Sequence, residues 1–273
     1  MSNLLLVLLI LAVVALYFWS LLPRPDRSMR QECLNLAGWD FAHRGLWDME
    51  LGIPENSMPA FERAIKQHVA IELDVHLTKD NRLVVIHDSD LKRLCGVEGL
   101  VEQMTFAELS ELRLLGTEET IPLFGQVLRT VRGRVPLLIE IKAETLDVSI
   151  CSYLYRDLEF YNGAFLVESF NPLALRWMRR HARHIVTGQL AGDMSAVDNV
   201  HPVVKLALYT LVVNAISRPD FISYELHAAD CLSLRICQSL YRTPVFAWTA
   251  QTMNEYRQCR ARFASVIFEK ILP

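Results

Sequence analysis

Apolar positions in this chain form one long unbroken run and then a series of short ones. Residues 4–22 carry no charge and end in Tyr17, Phe18 and Trp19 before Leu21 and Leu22. At ~1.5 Å rise per residue, a helix of that length covers about the ~30 Å hydrocarbon core of a bilayer. The aromatics suit its interface. The pattern predicts a retained transmembrane anchor over residues 1–22. A cleaved signal peptide is the competing reading, but no basic segment precedes the run and no small-x-small site precedes the aromatics. Pro23 and Pro25 end the helix and open a linker over residues 23–37.

From Gly38 onward, strand-like and helix-like segments alternate. Strands are expected over residues 40–43, 70–75, 137–142, 165–169, 185–189, 221–224, 245–249 and 265–268. These runs are mostly continuously apolar, which suits parallel strands covered on both faces. Ser57 is an N-cap for a helix over 58–67, and Pro172 opens another through Arg180. Such repeats predict an α/β fold, a (β/α)8 TIM barrel over residues 38–273, with its active groups at the C-terminal strand ends. A doubly wound open sheet is the alternative, but no Gly-rich turn follows the first strand.

Two places break the rhythm. Residues 83–86 read as a short extra strand, and about 88–134 as a small insertion after the second strand, in which Thr105 and Glu108 have capping-box spacing. Residues 203–216 are apolar apart from Lys205 and Asn214. They are too short to span a bilayer comfortably, so they form either an ordinary core helix or a segment that dips into the anchor's membrane.

An apolar fraction of 52% over 273 residues supplies a core, and a net charge of −3 without a basic stripe gives no sign of a nucleic-acid partner. Arg24, Arg27 and Arg30 follow the anchor and no charged side chain precedes it, which places the main domain on the cytoplasmic side. Asp26 and the N-terminal amine weaken that bias. The six cysteines show no Cys-x-x-Cys pair or zinc-ligand spacing and read as reduced, small apolar residues.

Polar groups gather at the predicted strand ends. His43-Arg44-Gly45 closes the first strand. Glu72 and Asp74, two apart on the second, point the same way. Glu140 ends the next, and Lys142 follows it. Carboxylates inside a barrel are costly unless paired or holding a cation, so Glu72, Asp74 and Glu140 make either a hard-oxygen site for Mg²⁺ or Ca²⁺ or simple partners for Lys142 and Arg44. A histidine ordinarily titrates near neutrality, so His43 and His87, both at strand ends, suit base and acid duties. Arg44 and Lys142 suit phosphate oxygens. Together these describe a phosphoryl centre.

The ordered set His43-Arg44-Gly45, Pro54-Glu55-Asn56-Ser57, Glu72-Leu73-Asp74-Val75, His87-Asp88, Glu140-Ile141-Lys142, Ser169-Phe170 and Ala247-Trp248-Thr249 resembles the glycerophosphodiester phosphodiesterase family. The resemblance implies a TIM barrel with an insertion after the second strand. It implies a divalent cation on Glu72, Asp74 and Glu140, acid/base work at His43 and His87, and phosphate contacts from Arg44 and Lys142. Glu55 would help organise the metal shell and Trp248 would wall the pocket. One departure shows at Phe268-Glu269-Lys270, where such families usually carry Thr-Asp; it bears on headgroup contacts at that rim rather than on the catalytic centre.

The expectation is therefore a single-pass, membrane-anchored, metal-dependent hydrolase. It would release sn-glycerol 3-phosphate and an alcohol from a glycerophosphodiester. Cleavage of lysophospholipids in the manner of a lysophospholipase D, at the lipid bilayer, is the alternative within the same chemistry. A non-catalytic lipid-headgroup receptor is the rival from another class. Two histidines beside three carboxylates argue against it, since a receptor has little need of proton-transfer groups.

Overall fold

The computed structural model describes residues 2–24, 27–36, 38–143, 145–197 and 200–273. Pro25 and Asp26, used above for the linker and the charge bias, lie outside the described residues, as do the side chains of Arg27 and Arg30. The helices are α1 (Ser2–Ser20), α2 (Arg27–Leu36), α3 (Met58–Lys66), α4 (Lys92–Cys95), α5 (Phe106–Leu109), α6 (Phe124–Val131), α7 (Ile150–Leu158), α8 (Pro172–His181), α9 (Pro202–Tyr209), α10 (Asn214–Ser217), α11 (Leu232–Ser239) and α12 (Met253–Arg262). The strands are β1 (Phe41–Ala42), β2 (Ala70–Leu77), β3 (Leu83–Val85), β4 (Leu137–Ile141), β5 (Phe165–Ser169), β6 (Thr187–Ala191), β7 (Phe221–Glu225), β8 (Val245–Ala250) and β9 (Ser265–Phe268).

Eight of these strands are parallel and close on themselves, because β1 pairs with both β2 and β9. The fold is a (β/α)8 barrel. Only β3 runs antiparallel, against the C-terminal part of β2. The sequence caps act as read: Ser57 accepts from the Ala60 N–H, and Thr105 and Glu108 form a reciprocal capping box.

Inside the barrel, β2, β4 and β5 place apolar residues low and polar ones high. Ala70, Leu138 and Leu166 share a floor with Phe41, Phe221 and Phe246, and α2 covers it from below with Cys33. One pleat up, β2, β4 and β5 carry Glu72, Glu140 and Glu168, and Asp74, Glu140 and Glu168 are in register across three strands. The floor needs a glycine: a Cβ on Gly188 would lie 2.1 Å from the Phe221 ring, whose centroid is 4.7 Å from that of Phe246 at a tilt of 31°. Gly188→Ala is expected to cost about 1–3 kcal/mol through overpacking, read as a fall of several degrees in Tm.

The insertion has a core of its own, built from Val84, Ile86, Leu91, Leu94, Val101, Leu109, Leu114 and Ile121. The helix α6, which falls within the expected 88–134 span, instead buries Phe124, Val127 and Val131 in the main core, beside α3. Residues 203–216 form two short helices rather than one core helix, and α9 buries only Leu208.

Among the described residues, α1 is the one helix long and apolar enough to cross a membrane. Its last turn docks on the barrel. The Tyr17 hydroxyl hydrogen-bonds that of Ser233 (2.7 Å), Tyr241 donates to the Phe18 carbonyl (2.9 Å), and Arg218 donates to the carbonyls of Trp19 and Leu22. Leu21 is fully buried in the main core.

Candidate active site

The site begins where β1 stops. His43 continues the strand pairing through its N–H to the Phe268 carbonyl. Arg44 then turns into the left-handed region (φ +59°), and Gly45 follows (φ +81°). A non-glycine residue there costs about 1–3 kcal/mol, a strain that recurs at functional sites. The result is specific: the Arg44 N–H reaches Glu72 Oε2 at 2.8 Å. Gly45 permits the second positive φ and lies so close to Ala60 and Phe61 that a Cβ would touch both at 3.0 Å. The Pro54–Ser57 turn packs alongside, where Asn56 donates to Asp74 Oδ2 (2.8 Å).

Glu72, Asp74 and Glu140 are brought together, with one oxygen of each within 4.8 Å of the others. All three are buried. Lys142 sits among them, its Nζ 2.9 Å from Asp74 and 2.7 Å from Glu140. Pairing and clustering therefore coexist. Burial, then repulsion from Asp74, Glu140 and Glu168, pushes Glu72 well above the usual carboxylate range. Burial lifts Glu140 to about 7 despite Lys142. Against the same burial, Lys142, His87 and Arg44 hold Asp74 well below its ordinary value.

Glu168 is a fourth buried carboxylate that the sequence reading missed. It is the fourth residue of β5, just before Ser169, and burial and Glu140 push it well above the ordinary range. These four carboxylates face two cations, and Arg44 is already shared with Glu55. A surplus of buried oxygen charge of this kind fits a hard divalent cation and not a thiolate-seeking metal.

Each histidine carries a carboxylate on Nδ1. His43 Nδ1 lies 2.8 Å from Glu269 Oε2, and His87 Nδ1 lies 2.5 Å from Asp88 Oδ1. Both contacts engage Nδ1 and so leave Nε2 as the nitrogen for proton transfer, and both histidines line the cavity at the site. Glu269 corrects an expectation. The departure at Phe268-Glu269-Lys270 reaches a candidate catalytic histidine, where Gln251 further fixes Glu269 by donating to its Oε1 (2.6 Å). Burial lowers the pKa of His43, and burial followed by Lys142 lowers that of His87 to about 4.

Glu55 is not placed in the carboxylate cluster. It accepts from Arg44 Nη1 (2.7 Å) and takes a two-pronged contact from Arg93 (2.8 and 3.0 Å). Arg93 in turn donates to Asp88 (2.5 Å). A continuous chain of charge pairs therefore runs Arg44, Glu55, Arg93, Asp88, His87. Arg93 comes from the insertion and had no signal in the sequence. His76 supports the same corner by pairing its Nε2 with the His87 carbonyl (3.1 Å). The cavity between these groups, about 90 Å³, is walled by Trp248 and Phe170, whose rings meet edge to face at 5.9 Å.

A barrel with paired histidines over a carboxylate cluster, cations beside it, defines a phosphoryl-transfer site. The sequence model described as the glycerophosphoryl diester phosphodiesterase family matches residues 43–271, and the chain belongs to that family. It is an enzyme of this class, and hydrolysis of glycerophosphodiesters is the reaction that membership brings. It is 34% identical over 183 residues to a glycerophosphodiester phosphodiesterase of Caldanaerobacter subterraneus, covering 62% of this chain and 73% of the relative. It is 29% identical over 140 residues to a lysophospholipase D of Homo sapiens, covering 46% of this chain and 38% of the relative. Its fold is shared with a phosphodiesterase of Oleispira antarctica solved with the product sn-glycerol-3-phosphate (TM-score 0.69, 20% identity, 84% of this chain and 92% of that one).

Proposed function

We propose that this protein hydrolyses glycerophosphodiesters to sn-glycerol 3-phosphate and an alcohol at a membrane, using a divalent cation held by Glu72, Asp74 and Glu140. The observation that carries the reading is the pair of histidine–carboxylate dyads, His43–Glu269 and His87–Asp88, set around that cluster. The cation, Mg²⁺ or Ca²⁺, would supply charge stabilisation for the phosphoryl oxygens. Arg44 and Lys142 add positive charge there, and the Glu55 contact fixes the direction of the Arg44 fork.

The two histidines divide the proton transfers. His87, held to about 4, is neutral at pH 7 and acts as base. It takes the proton from the glycerol 2-hydroxyl, whose oxygen attacks phosphorus while the bond to the leaving alcohol breaks. His43, paired through Nδ1 with Glu269, would give a proton to the departing oxygen, and the Glu269 contact opposes the lowering of its pKa by burial. Water then opens the cyclic phosphate with the two roles exchanged. Direct attack by water uses the same pair.

The docked end of α1 supports a retained anchor, since a cleaved leader has no reason to fill the core with Leu21. Arg24 beyond the apolar run supports a cytoplasmic catalytic domain, and a reporter fused after Pro273 tests that placement. Lysophospholipids are a second substrate class, favoured by the exposed apolar side chains of α9.

The test is product release by purified protein from glycerophosphoethanolamine and from lysophosphatidylethanolamine, with Mg²⁺, Ca²⁺ or chelator. Cation-dependent glycerol phosphate is expected, and its absence from both substrates with cation bound would overturn the reading. In the same assay, Glu269→Gln is expected to lower kcat about 10- to 100-fold through misorientation of His43, with KM little changed and the Asp substitution partly restoring the rate.

A further inference from the structure

Among the described residues outside α1, eight large apolar side chains are more than half exposed; Phe160 and Leu240 lie on connections that lead into the N-terminal ends of β5 and β8, and the other six share the opposite end. Leu51 follows β1, Leu146 follows β4, Val203 and Leu206 follow β6, Leu232 follows β7 and Leu272 follows β9, each more than half exposed. All six therefore sit on connections that leave the C-terminal ends of strands, the end that holds the site. They make a broken apolar rim around its mouth, densest at Val203, Val204 and Leu206 of α9.

The docking of α1 says what that rim faces. Contacts step along α11 in order: Tyr17 meets Ser233 in its first turn, and the Leu21 carbonyl meets Cys237 one turn later. Arg24 then lies at the Pro219 carbonyl, just before β7. Since α11 runs from the C-terminal end of β7 back toward the start of β8, α1 descends in the same sense. Its uncovered part, residues 4–16, is thus directed to the side of the mouth.

Length adds a second constraint. Those thirteen exposed residues rise only about 20 Å, short of a hydrocarbon core of ~30 Å. The shortfall closes when Tyr17, Phe18, Trp19 and the barrel's own rim enter the interface.

Resting on the anchor proposed above, we infer that the mouth of the barrel is pressed against the bilayer that α1 crosses, with α9 and the rim seated in the headgroup region. The site then opens onto lipid rather than onto bulk water. Its substrates are membrane-resident phosphodiesters with one acyl chain, delivered headgroup first. The Lys205 side chain, which donates to the Ser195 carbonyl (3.3 Å), rides at this boundary beside Val204 and Leu206.

The test uses the full chain carrying Cys95→Ser, to remove the one half-buried thiol, in vesicles of phosphatidylethanolamine and phosphatidylglycerol. Carbonate resistance first reports on the anchor; extraction would overturn the anchor and this inference together. Environment-sensitive labels on Val203→Cys, Leu206→Cys and Leu272→Cys are then compared with labels on Lys66→Cys and Phe160→Cys, before β2 and β5 at the far end of the barrel. Rim labels are expected to blue-shift and to be quenched by lipids spin-labelled near the glycerol backbone, while the far labels are not. An anchored protein whose rim labels stay unquenched, or whose far labels are quenched equally, refutes the inference while leaving the activity reading intact. In parallel, Val203→Glu with Leu206→Glu is expected to cut turnover of lysophosphatidylethanolamine in vesicles about tenfold, with turnover of soluble glycerophosphoethanolamine unchanged. Equal retention of both activities also counts against it.

Discussion

His87→Ala is expected to lower kcat for a glycerophosphodiester by about 10²- to 10⁴-fold while leaving the barrel folded. The ring is partly exposed, so its loss opens no core cavity, and His76 still holds the local backbone through the residue 87 carbonyl. The same residue marks the pH profile. An ordinary histidine titrates near 6.5, but burial and then Lys142 bring this one to about 4. The base stays unprotonated well into acid, so the acid limb of kcat/KM lies below the range of a solvent-exposed histidine. Stability follows by linkage. Between about 6.5 and 4 the unfolded chain takes up a proton at position 87 that the folded chain refuses, so this residue's contribution declines as pH falls through that window. The wild type should lose more Tm than His87→Ala between pH 7 and pH 5. Parallel pH profiles of the two proteins would contradict the assignment.

Glu72→Gln is expected to separate stability from turnover. Turnover with Mg²⁺ or Ca²⁺ falls about 10³-fold, because an anionic oxygen ligand of the proposed cation becomes a neutral amide oxygen, and metal charge stabilisation is worth several kcal/mol. The cation-free protein moves the other way. Glu72 is pushed above the ordinary range by burial and then by its neighbours Asp74, Glu140 and Glu168. A carboxylate raised in this way favours the folded state at low pH, and that benefit is lost as pH rises through its folded value. The amide has no such loss, so the variant's Tm advantage without cation grows with pH. Adding the cation closes the gap from the wild-type side, since a ligand that binds only the folded state stabilises it in proportion to RT ln(1 + [L]/Kd). Calorimetry with and without cation reads both effects. A cation-induced rise of equal size in both proteins would remove Glu72 from the ligand set.

The barrel was legible because its strands are covered on both faces. Continuous apolar runs such as Leu137–Ile141 and Ser265–Phe268 mark themselves, and the polar residues interrupting their ends stand out. His43, Glu72, Asp74 and Glu140 were readable on that ground. Glu168 was not, because its meaning depends on register: only pairing with Glu140 across β4 and β5 shows that it belongs to the cluster. Arg93 was silent for a similar reason. An arginine in a four-residue helix of an insertion looks solvated until its contacts with Glu55 and Asp88 are seen. Glu269 was visible as an unusual residue, but its target lies 226 positions earlier in the chain, and no local pattern names it. Residues 203–216 kept two readings because apolar composition alone does not tell a buried face from an exposed one; the exposure of Val203 and Leu206 shows that this face is not core.

The burial of Leu21 also governs how this enzyme can be handled in solution. A water-soluble version trimmed at the end of the apolar run would take Leu21 and the Tyr17–Ser233 contact with it, opening a hole of the kind that costs about 2–5 kcal/mol per large aliphatic side chain. Trimming is better stopped just ahead of Tyr17, with the freed helical stub made hydrophilic, so that the plug stays in the wall it completes.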